Sequence, residues 1–383
     1  MPRTRLATGW RALPPRGQPQ NAQSGHRTSL TATMPSAPRA SHSSREWLIA
    51  APFLHDPADV WLGAFVPNAD GALRFRTISA PYGHDGSRAL TGWRAWRDYF
   101  GHARDAWHQF GNQATTGLLT SFPHLAITFG LRKLLSRSRM PLVAWTFNLG
   151  GLHSGFKRLV ARAALGAVDR FIVHSRAEAT SYSRWLGLPA ERFLFVPLQC
   201  PTRLVEFEED RADPFILSMG SAKRDYRLLF QALAKLGHRA VIVAAPHAVA
   251  GLPVPPGVEI RSGLSEAQCF ELIQRARLCV VPVANRETAS GQVTLLNAMM
   301  YGRPVVVTQC VGSVDYVIDG VDALLVRPGD LQHLEQAIEM CWHDEALRLR
   351  LGAAARVSAI ANFSDEAVGQ IMGRVLRELN DSR

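Results

Sequence analysis

Several common sequence features are missing from this chain of 383 residues. It has no run of eighteen consecutive apolar residues, so no segment of it is expected to span a bilayer as a helix. Its five cysteines are odd in number and lack a metal-ligand spacing, which argues against a disulfide framework and a zinc finger. It also lacks an Asp-x-Asp motif. These absences favour reduced, buried thiols in a cytoplasmic protein that is soluble or lies on the inner face of the membrane.

Acidic residues are absent from residues 1–45, which contain seven Arg and few aliphatic side chains. Without this leader the formal net charge of +11 falls to +4, so the basic balance does not indicate a nucleic-acid surface. The leader has no apolar core of a secretory signal and resembles a transit peptide only weakly. We expect a disordered basic leader, either an unstructured extension or the product of an upstream start codon, with Met34 as the true first residue.

The remainder of the chain alternates apolar strand-like runs with amphipathic helical segments, and 47% of the whole sequence is hydrophobic. This pattern predicts α/β domains with parallel sheets, and the length suits two of them. Acidic residues cluster from Glu206 to Asp213, where hydrophobic periodicity lapses. We therefore predict one Rossmann-like domain over 46–205, a second over 206–364, and a separate C-terminal helix over 365–383.

In the second half, a predicted strand at Phe215–Met219 is followed by a turn that begins Gly220-Ser221 and ends with two cations. A glycine lets the backbone approach a ligand, and Lys223 and Arg224 supply the charge that a diphosphate requires. Arg224 is the stronger candidate because a guanidinium offers a planar fork to phosphate oxygens.

A second candidate segment runs from Glu287 to Pro304 between two apolar runs. A helix opening at Ser290-Gly291 would join two buried strands, and its N-terminal N–H groups would favour an anionic ligand. The residues predicted to line this end of the helix are Ser290, Gly291, Gln292, Thr294 and, deeper, Asn297.

The stretch SGQVTLLNAMMYGRPVVVT and the downstream Gly312, Tyr316 and Pro328-Gly329-Asp330 resemble the donor-binding half of GT-B glycosyltransferases of the retaining family 4 type. The resemblance implies two Rossmann-like domains facing a cleft, with the last helix crossing back to the first domain. It also implies a nucleotide diphosphate sugar as donor, a carbohydrate or lipid-linked acceptor, and neither a metal nor a cofactor.

The resemblance assigns roles to individual positions. In the family a Glu-x7-Glu pair brackets the helix start, but this chain has Ala289 and Asn297 there. Asn297 retains hydrogen-bonding capacity toward a ribose, and Glu287 is a candidate for the lost charge or, equally, a solvated loop residue. Arg224 and Lys223 occupy the turn where the family neutralises the leaving diphosphate.

In the first half the resemblance is architectural. A predicted strand delivers Asn148 to the open edge of the sheet, where many family members have a His. Gly150, Gly151 and His153 follow, and His153 is a candidate substitute or a solvated loop residue. Ser175 is a candidate cleft residue, although Ser175-x-x-Glu178 also fits a helix capping box.

Phe53 to Asp56 replaces the glycine-rich turn that usually follows a first Rossmann strand, so the sequence does not place the acceptor. Aromatic residues recur at helical spacing between 89 and 110 with arginines between them, and 131–139 is also basic. These stretches predict either core packing with a charged outer face or docking on an anionic membrane. The aromatic residues are Trp93, Trp96, Phe100, Trp107 and Phe110.

Three functions follow from these features. The first is transfer of a sugar with retention of anomeric configuration, in polysaccharide or glycolipid assembly. The second is a non-catalytic sugar-nucleotide-binding subunit, motivated by the missing carboxylates. The third, nucleic-acid binding, rests on net charge alone and predicts salt-dependent binding that disappears with the leader.

Overall fold

The structure, a computed structural model, describes residues 45–69, 71–83, 92–109, 117–152, 155–284 and 288–381. Over these ranges it contains two parallel six-stranded sheets. The first consists of β1 (Arg45–Ala50), β2 (Leu73–Thr77), β3 (Gly117–Ser121), β4 (Leu142–Trp145), β5 (Arg170–Val173) and β6 (Phe193–Phe195). The second consists of β7 (Ile216–Met219), β8 (Ala240–Val243), β9 (Val258–Arg261), β10 (Leu278–Val281), β11 (Val305–Thr308) and β12 (Leu324–Val326).

Helices cover both faces of each sheet. Those following strands of the first sheet are α1 (Trp93–Gln109), α2 (Pro123–Leu135), α3 (Phe156–Leu165) and α4 (Arg176–Leu186). Those of the second half are α5 (Tyr226–Leu236), α6 (Pro246–Val249), α7 (Glu266–Arg275), α8 (Gln292–Met300), α9 (Leu331–His343), α10 (Glu345–Phe363) and α11 (Asp365–Asp381). Two 3-10 turns, Trp61–Phe65 and Ala190–Arg192, complete the elements.

Both sheets have doubly wound strand orders, β2-β1-β3-β4-β5-β6 and β12-β11-β10-β7-β8-β9. The order reverses between β1 and β3 in the first sheet and between β7 and β10 in the second. Ligands of such sheets bind beyond the carboxyl ends of the strands at the point of reversal. The topology therefore provides one candidate crevice in each domain.

The strands are apolar throughout because both faces of each sheet are covered. Along β1, successive side chains point to opposite faces: Leu48 and Ala50 enter one buried cluster, and Trp47 and Ile49 enter the other.

Helix α11 packs on the first domain, although it follows the second in sequence. Met372 and Leu376 are fully buried in the same cluster as Trp47. Gly369 allows the close approach, since a Cβ there would lie 2.6 Å from the carbonyl oxygen of Phe65. The first domain is therefore completed by the last helix of the chain.

Only some of the aromatic residues predicted at helical spacing along α1 face the core. The buried residues of α1 are Tyr99, His102, Ala103 and Ala106. Trp93 is 70% exposed and Phe100 47% exposed, so two of the predicted aromatic residues lie on the outer surface. No helix in the described part of the chain has the length and apolar character needed to cross a membrane.

Candidate functional site

The crevice of the second domain is built around Arg224, in the turn between β7 and α5. Its guanidinium donates to the carbonyl oxygens of Met219 (3.0 Å) and Ala222 (2.9 Å) and to the hydroxyl of Thr294 on α8 (3.2 Å). The turn is tied to the end of β10, because the Asp225 N–H donates to the Pro282 carbonyl oxygen at 3.1 Å. Arg224 therefore lies between the carboxyl ends of β7 and β10, where the strand order reverses.

Two glycines make room for this arginine. Gly220 has φ +110°, and a Cβ there would lie 2.4 Å from the Arg224 guanidinium. Gly291, at the N-cap of α8, has φ +89°, and a Cβ there would lie 3.0 Å from Val281 Cγ1. Both positions combine a left-handed backbone with a close contact, so only glycine fits them without strain.

The N-terminus of α8 opens toward the same place. Within the described residues no side chain caps this helix, and its first N–H groups have no intrahelical acceptor. The Ser290 hydroxyl donates to the Ala222 carbonyl oxygen at 3.3 Å, and this hydrogen bond joins the N-terminus of α8 to the turn that contains Arg224. Helix N-termini carry partial positive charge, so this edge favours an anion.

The charge of Arg224 has no acidic counterpart among the residues that the structure describes. All three of its hydrogen-bond acceptors are neutral oxygens. Burial lowers the pKa of its guanidinium, because desolvation disfavours the charged form. A bound phosphate would supply the missing opposite charge and offset that cost.

Two other predicted residues of the turn, Ser221 and Lys223, precede Arg224 in the sequence. Lys223 is exposed and adopts a left-handed conformation (φ +59°). The Ser221 hydroxyl accepts a hydrogen bond from the Ala245 N–H at 2.7 Å, so it links the turn to the end of β8.

Two residues of α8 make contacts other than those expected from the sequence. The side chain of Gln292 crosses to the first domain and donates to the His174 carbonyl oxygen at 2.7 Å. Asn297 donates to Val293 in its own helix at 2.8 Å, and its amide oxygen lies 3.6 Å from the Cys200 sulfur. Of the predicted donor residues, the structure brings Gly220, Ser290, Gly291 and Thr294 together around Arg224.

On the first-domain side, Asn148 reaches the second domain. Its amide nitrogen donates to Glu178 Oε1 at 3.1 Å and lies 3.5 Å from the Ala289 carbonyl oxygen. Its amide oxygen accepts from the Gly150 N–H at 2.8 Å, and Gly151 follows in the same loop. Two predicted site residues, His153 and Glu287, lie outside the described residues.

Glu178 is a cleft residue that sequence patterning missed. Ser175 caps α4 by accepting from the Ala177 N–H at 3.2 Å, as predicted, but the other half of the predicted capping box is wrong. The Glu178 carboxylate instead accepts from the Ala289 N–H at 3.0 Å and from the Tyr182 hydroxyl at 2.9 Å. A buried carboxylate of the first domain thus holds the loop that leads into α8.

Further hydrogen bonds join the two domains beside Glu178. The His174 carbonyl oxygen accepts from Gln292 and also from the Tyr316 hydroxyl at 2.9 Å. The Arg176 N–H donates to the Asp315 carboxylate at 2.8 Å, and the two side chains form an ion pair at 3.3 Å. The start of α4 is therefore one of the places where the domains meet.

The fold of this chain is similar to that of several solved structures. The sucrose-phosphate synthase of Thermosynechococcus elongatus aligns with a TM-score of 0.68 at 20% identity, covering 89% of this chain and all of that one. The fold is GT-B. The Anabaena protein HepE in complex with UDP-glucose aligns with a TM-score of 0.61 at 15% identity, covering 87% of this chain and all of that one.

The family comparison falls on the domain that carries Arg224. Residues 214–344 match the model of the family Glycosyl transferases group 1. No curated protein matches the chain by sequence. In this GT-B chain the family match thus covers the turn after β7, the N-terminus of α8 and all six strands of the second sheet.

Proposed function

We propose that this protein is a retaining glycosyltransferase of the family 4 type. It transfers a sugar, in the manner of a hexosyltransferase, from a nucleotide diphosphate sugar to an acceptor hydroxyl. The observation that carries the proposal is Arg224, a partly buried cation with only neutral described partners, located beside the open N-terminus of α8.

The chemistry follows from where charge develops. As the glycosidic bond to the diphosphate breaks, negative charge accumulates on the leaving phosphate oxygens. Donors that are already in place stabilise this charge without reorganising during the reaction. Arg224 and the α8 N-terminus provide such donors, and Lys223 adds an exposed cation at the rim. No protein metal ligand is required in this step.

Contacts across the cleft support a role for both domains. Glu178 and Asn148 connect the α8 loop to the first domain, so the position of the donor loop depends on how the domains close. Closure brings an acceptor on the first domain toward the donor and excludes water. We assign Asn148, Gly150, Gly151 and Ser175 to the acceptor side of this cleft.

The donor base is suggested by a structural neighbour. HepE is described in complexes with UDP and UDP-glucose. Together with the family match over 214–344, this makes UDP the first diphosphate to test.

The setting we propose is polysaccharide or glycolipid assembly at the cytoplasmic face of a membrane. Helices α1, α2 and α3 expose Trp93 (70%), Leu135 (83%) and Leu159 (65%), and the surface around Trp93 also carries Arg94 and Arg97. Exposed apolar side chains beside arginines suit peripheral docking on anionic lipid. The check is cosedimentation with vesicles, which should be stronger with anionic than with neutral lipid and should weaken after Trp93→Ser.

A second candidate is a subunit that binds a sugar nucleotide without turnover. It is favoured by the apolar Ala289 and by Asn297, whose amide contacts its own helix and Cys200. Such a protein would bind a nucleoside diphosphate normally but would neither transfer nor hydrolyse the sugar.

The first experiment is a thermal-stability scan of the full chain with UDP, GDP, ADP and TDP. A ligand that binds only the folded state raises Tm with concentration. We expect a shift with one diphosphate and its loss in Arg224→Ala. The matching sugar nucleotide is then incubated with acceptor mixtures, and product configuration is read by NMR. Binding without turnover would favour the second candidate, and no shift with any diphosphate would contradict both.

A further inference from the structure

A second group of chemically active side chains lies far from the cleft in the topology, at the amino-terminal edge of the second sheet. Helix α5 ends at Gly237, which is left-handed (φ +72°) and turns the chain so that His238 precedes β8. Helix α9 packs beside α5 and carries Glu339 and His343 one turn apart near its end. Three potential ligands thus meet from two separate elements.

The ligand atoms of these three residues converge. One carboxylate oxygen of Glu339 contacts His238 Nε2 directly, and the other lies 3.4 Å from His343 Nε2. The three ligand atoms lie within 4.8 Å of one another. Ligand atoms around a tetrahedral zinc ion are separated by roughly 3.3 Å, given metal–ligand bonds of about 2.0 Å. A small rotation of His343, whose side chain is 69% exposed, would close the remaining gap.

The ring of His238 is held in place. It stacks on Trp342 with ring centroids 4.0 Å apart and an interplanar angle of 21°. The Arg277 guanidinium lies 4.9 Å from the Trp342 ring centroid, so the indole is fixed by contacts with both side chains. A ligand whose orientation is set by packing loses little freedom when a metal binds.

Neighbouring charges leave the carboxylate of this group available. Lys235 pairs with Glu335, one turn before Glu339 on α9. Arg277 pairs with Glu209 at 2.8 Å. Among the described residues, these nearby cations have other acidic partners, and the ion pairs of Glu339 are with the two imidazoles. Two neutral imidazoles and one carboxylate carry a single negative charge, which suits a divalent cation.

We propose that His238, Glu339 and His343 form a binding site for a divalent transition-metal ion of the zinc class. Two imidazole nitrogens and one carboxylate are a donor set that zinc accepts in a tetrahedral geometry, and water would complete the coordination. The ion would tie the turn after α5 to the end of α9. Its role would be structural, and it would lie at the sheet edge opposite Arg224, independent of sugar transfer.

The test is a titration of the full chain with Zn²⁺, in which binding is measured by calorimetry and stability by thermal unfolding. A second titration uses Co²⁺ and measures visible absorption. We expect one saturable site, a rise in Tm, and the intense visible bands of tetrahedral Co²⁺. Glu339→Gln preserves size and hydrogen bonding, and His343→Ala alters an exposed side chain, so both should fold. Each removes a direct ligand, so each should weaken Zn²⁺ binding by at least the roughly 10- to 100-fold that loss of an outer-shell partner costs.

The matched control is His247→Ala, which removes an exposed histidine elsewhere in the same domain. It should bind Zn²⁺ as the unaltered chain does. Equal loss in the control and in His343→Ala, no saturable binding, or an octahedral Co²⁺ spectrum would each overturn the proposal. The test does not depend on diphosphate binding, so failure of one proposal leaves the other standing.

Discussion

The two domains contain the same kind of crevice and fill it differently. Beyond β1 and β3 the crevice is occupied by aromatic rings, with Phe53 in edge contact with Trp61 (5.5 Å) and with Phe122 (6.0 Å). Beyond β7 and β10 it holds Gly220 and Arg224. Topology thus provides a place for a ligand in each domain. Among the residues that the structure describes at these two places, those of the second domain offer a phosphate a cation and a closely approaching backbone.

The difference originates in two turns. After β1 the chain continues Ala51-Pro52-Phe53, where no glycine permits close approach, and Phe122 at the N-cap of α2 is left-handed (φ +67°). After β7 the turn begins with glycine and ends with an arginine at the start of a helix. The contrast predicts that changes in the second crevice alter diphosphate binding, whereas changes in the first do not.

The largest effect is expected for Arg224→Ala. Removing a preorganised donor from a developing negative charge costs about 3 kcal/mol, or roughly 100-fold in rate. The diphosphate affinity and transfer rate of Arg224→Lys should lie between those of the unaltered chain and of Arg224→Ala, because an ammonium keeps the charge but loses the planar fork. Diphosphate affinity and transfer rate of both variants are the measurements. Unchanged affinity in Arg224→Ala would remove this residue from the site.

The next effect concerns acid stability and the junction between the domains. Burial lowers the pKa of His174 to about 4, while its Nδ1 contacts the Val196 carbonyl oxygen at 2.8 Å. The unfolded chain protonates this imidazole near pH 6.5, so it binds more protons than the folded chain between these pH values. The free energy of unfolding should therefore fall by up to about 3 kcal/mol as the pH drops from 6.5 to 4.

Urea unfolding at several pH values checks this, with His174→Asn as the comparison. Asp365 changes the free energy of unfolding in the opposite direction. Burial raises the pKa of its carboxyl group to about 6, so near pH 5 the folded chain binds more protons at this residue than the unfolded chain does. The Asp365→Asn background removes that contribution. An equal loss of stability in His174→Asn and the unaltered chain would contradict the assignment.

A smaller effect is expected from Gly312→Ala, which removes no polar group. A Cβ at this position would lie 2.2 Å from the Ser290 carbonyl oxygen, so the α8 loop must move. Such overpacking costs about 1–3 kcal/mol and should weaken diphosphate binding in the same assay. The control is Gly151→Ala on the first-domain side, where a Cβ meets nothing within 4 Å. Equal losses of diphosphate affinity in Gly312→Ala and Gly151→Ala would contradict a role of the α8 loop in diphosphate binding.

The smallest effect on binding is expected from Phe53→Ala. The variant loses ring contacts with Trp61 and Phe122 and should unfold at lower urea concentration. Its diphosphate affinity should be unchanged, because no phosphate partner is removed. A parallel loss of affinity would show that the first crevice contributes to the donor site.

Local signals in the sequence were sufficient for most elements of the second domain. The strand predicted at Phe215–Met219 is present as β7 (Ile216–Met219). The helix after it begins and ends at local signals, because Asp225 caps it and the left-handed Gly237 ends it. Contacts between distant segments were not accessible in this way. Ser175-x-x-Glu178 matches a capping box locally, yet the carboxylate bonds to Ala289, which is 111 residues away. No local pattern encodes a partner in another domain.

The candidate site residues also divide into those with local contacts, which the sequence can predict, and those with contacts between domains, which it cannot. Arg224 and Gly220 share one turn, so their proximity could be predicted from spacing. The contact of Gln292 with His174 depends on how the domains meet, and sequence spacing contains no information about that. The assignments of Glu287 and His153 stay predictions.

Helix α11 gives the chain an unusual order of assembly. The first domain has the strands and most helices of its core within residues 45–195, but Met372 and Leu376 complete one buried face. During synthesis this face stays open to solvent until α11 has left the ribosome, so the first domain cannot finish folding before the second has emerged. Cellular folding of this protein therefore has to protect an incomplete domain throughout synthesis of the donor-binding half.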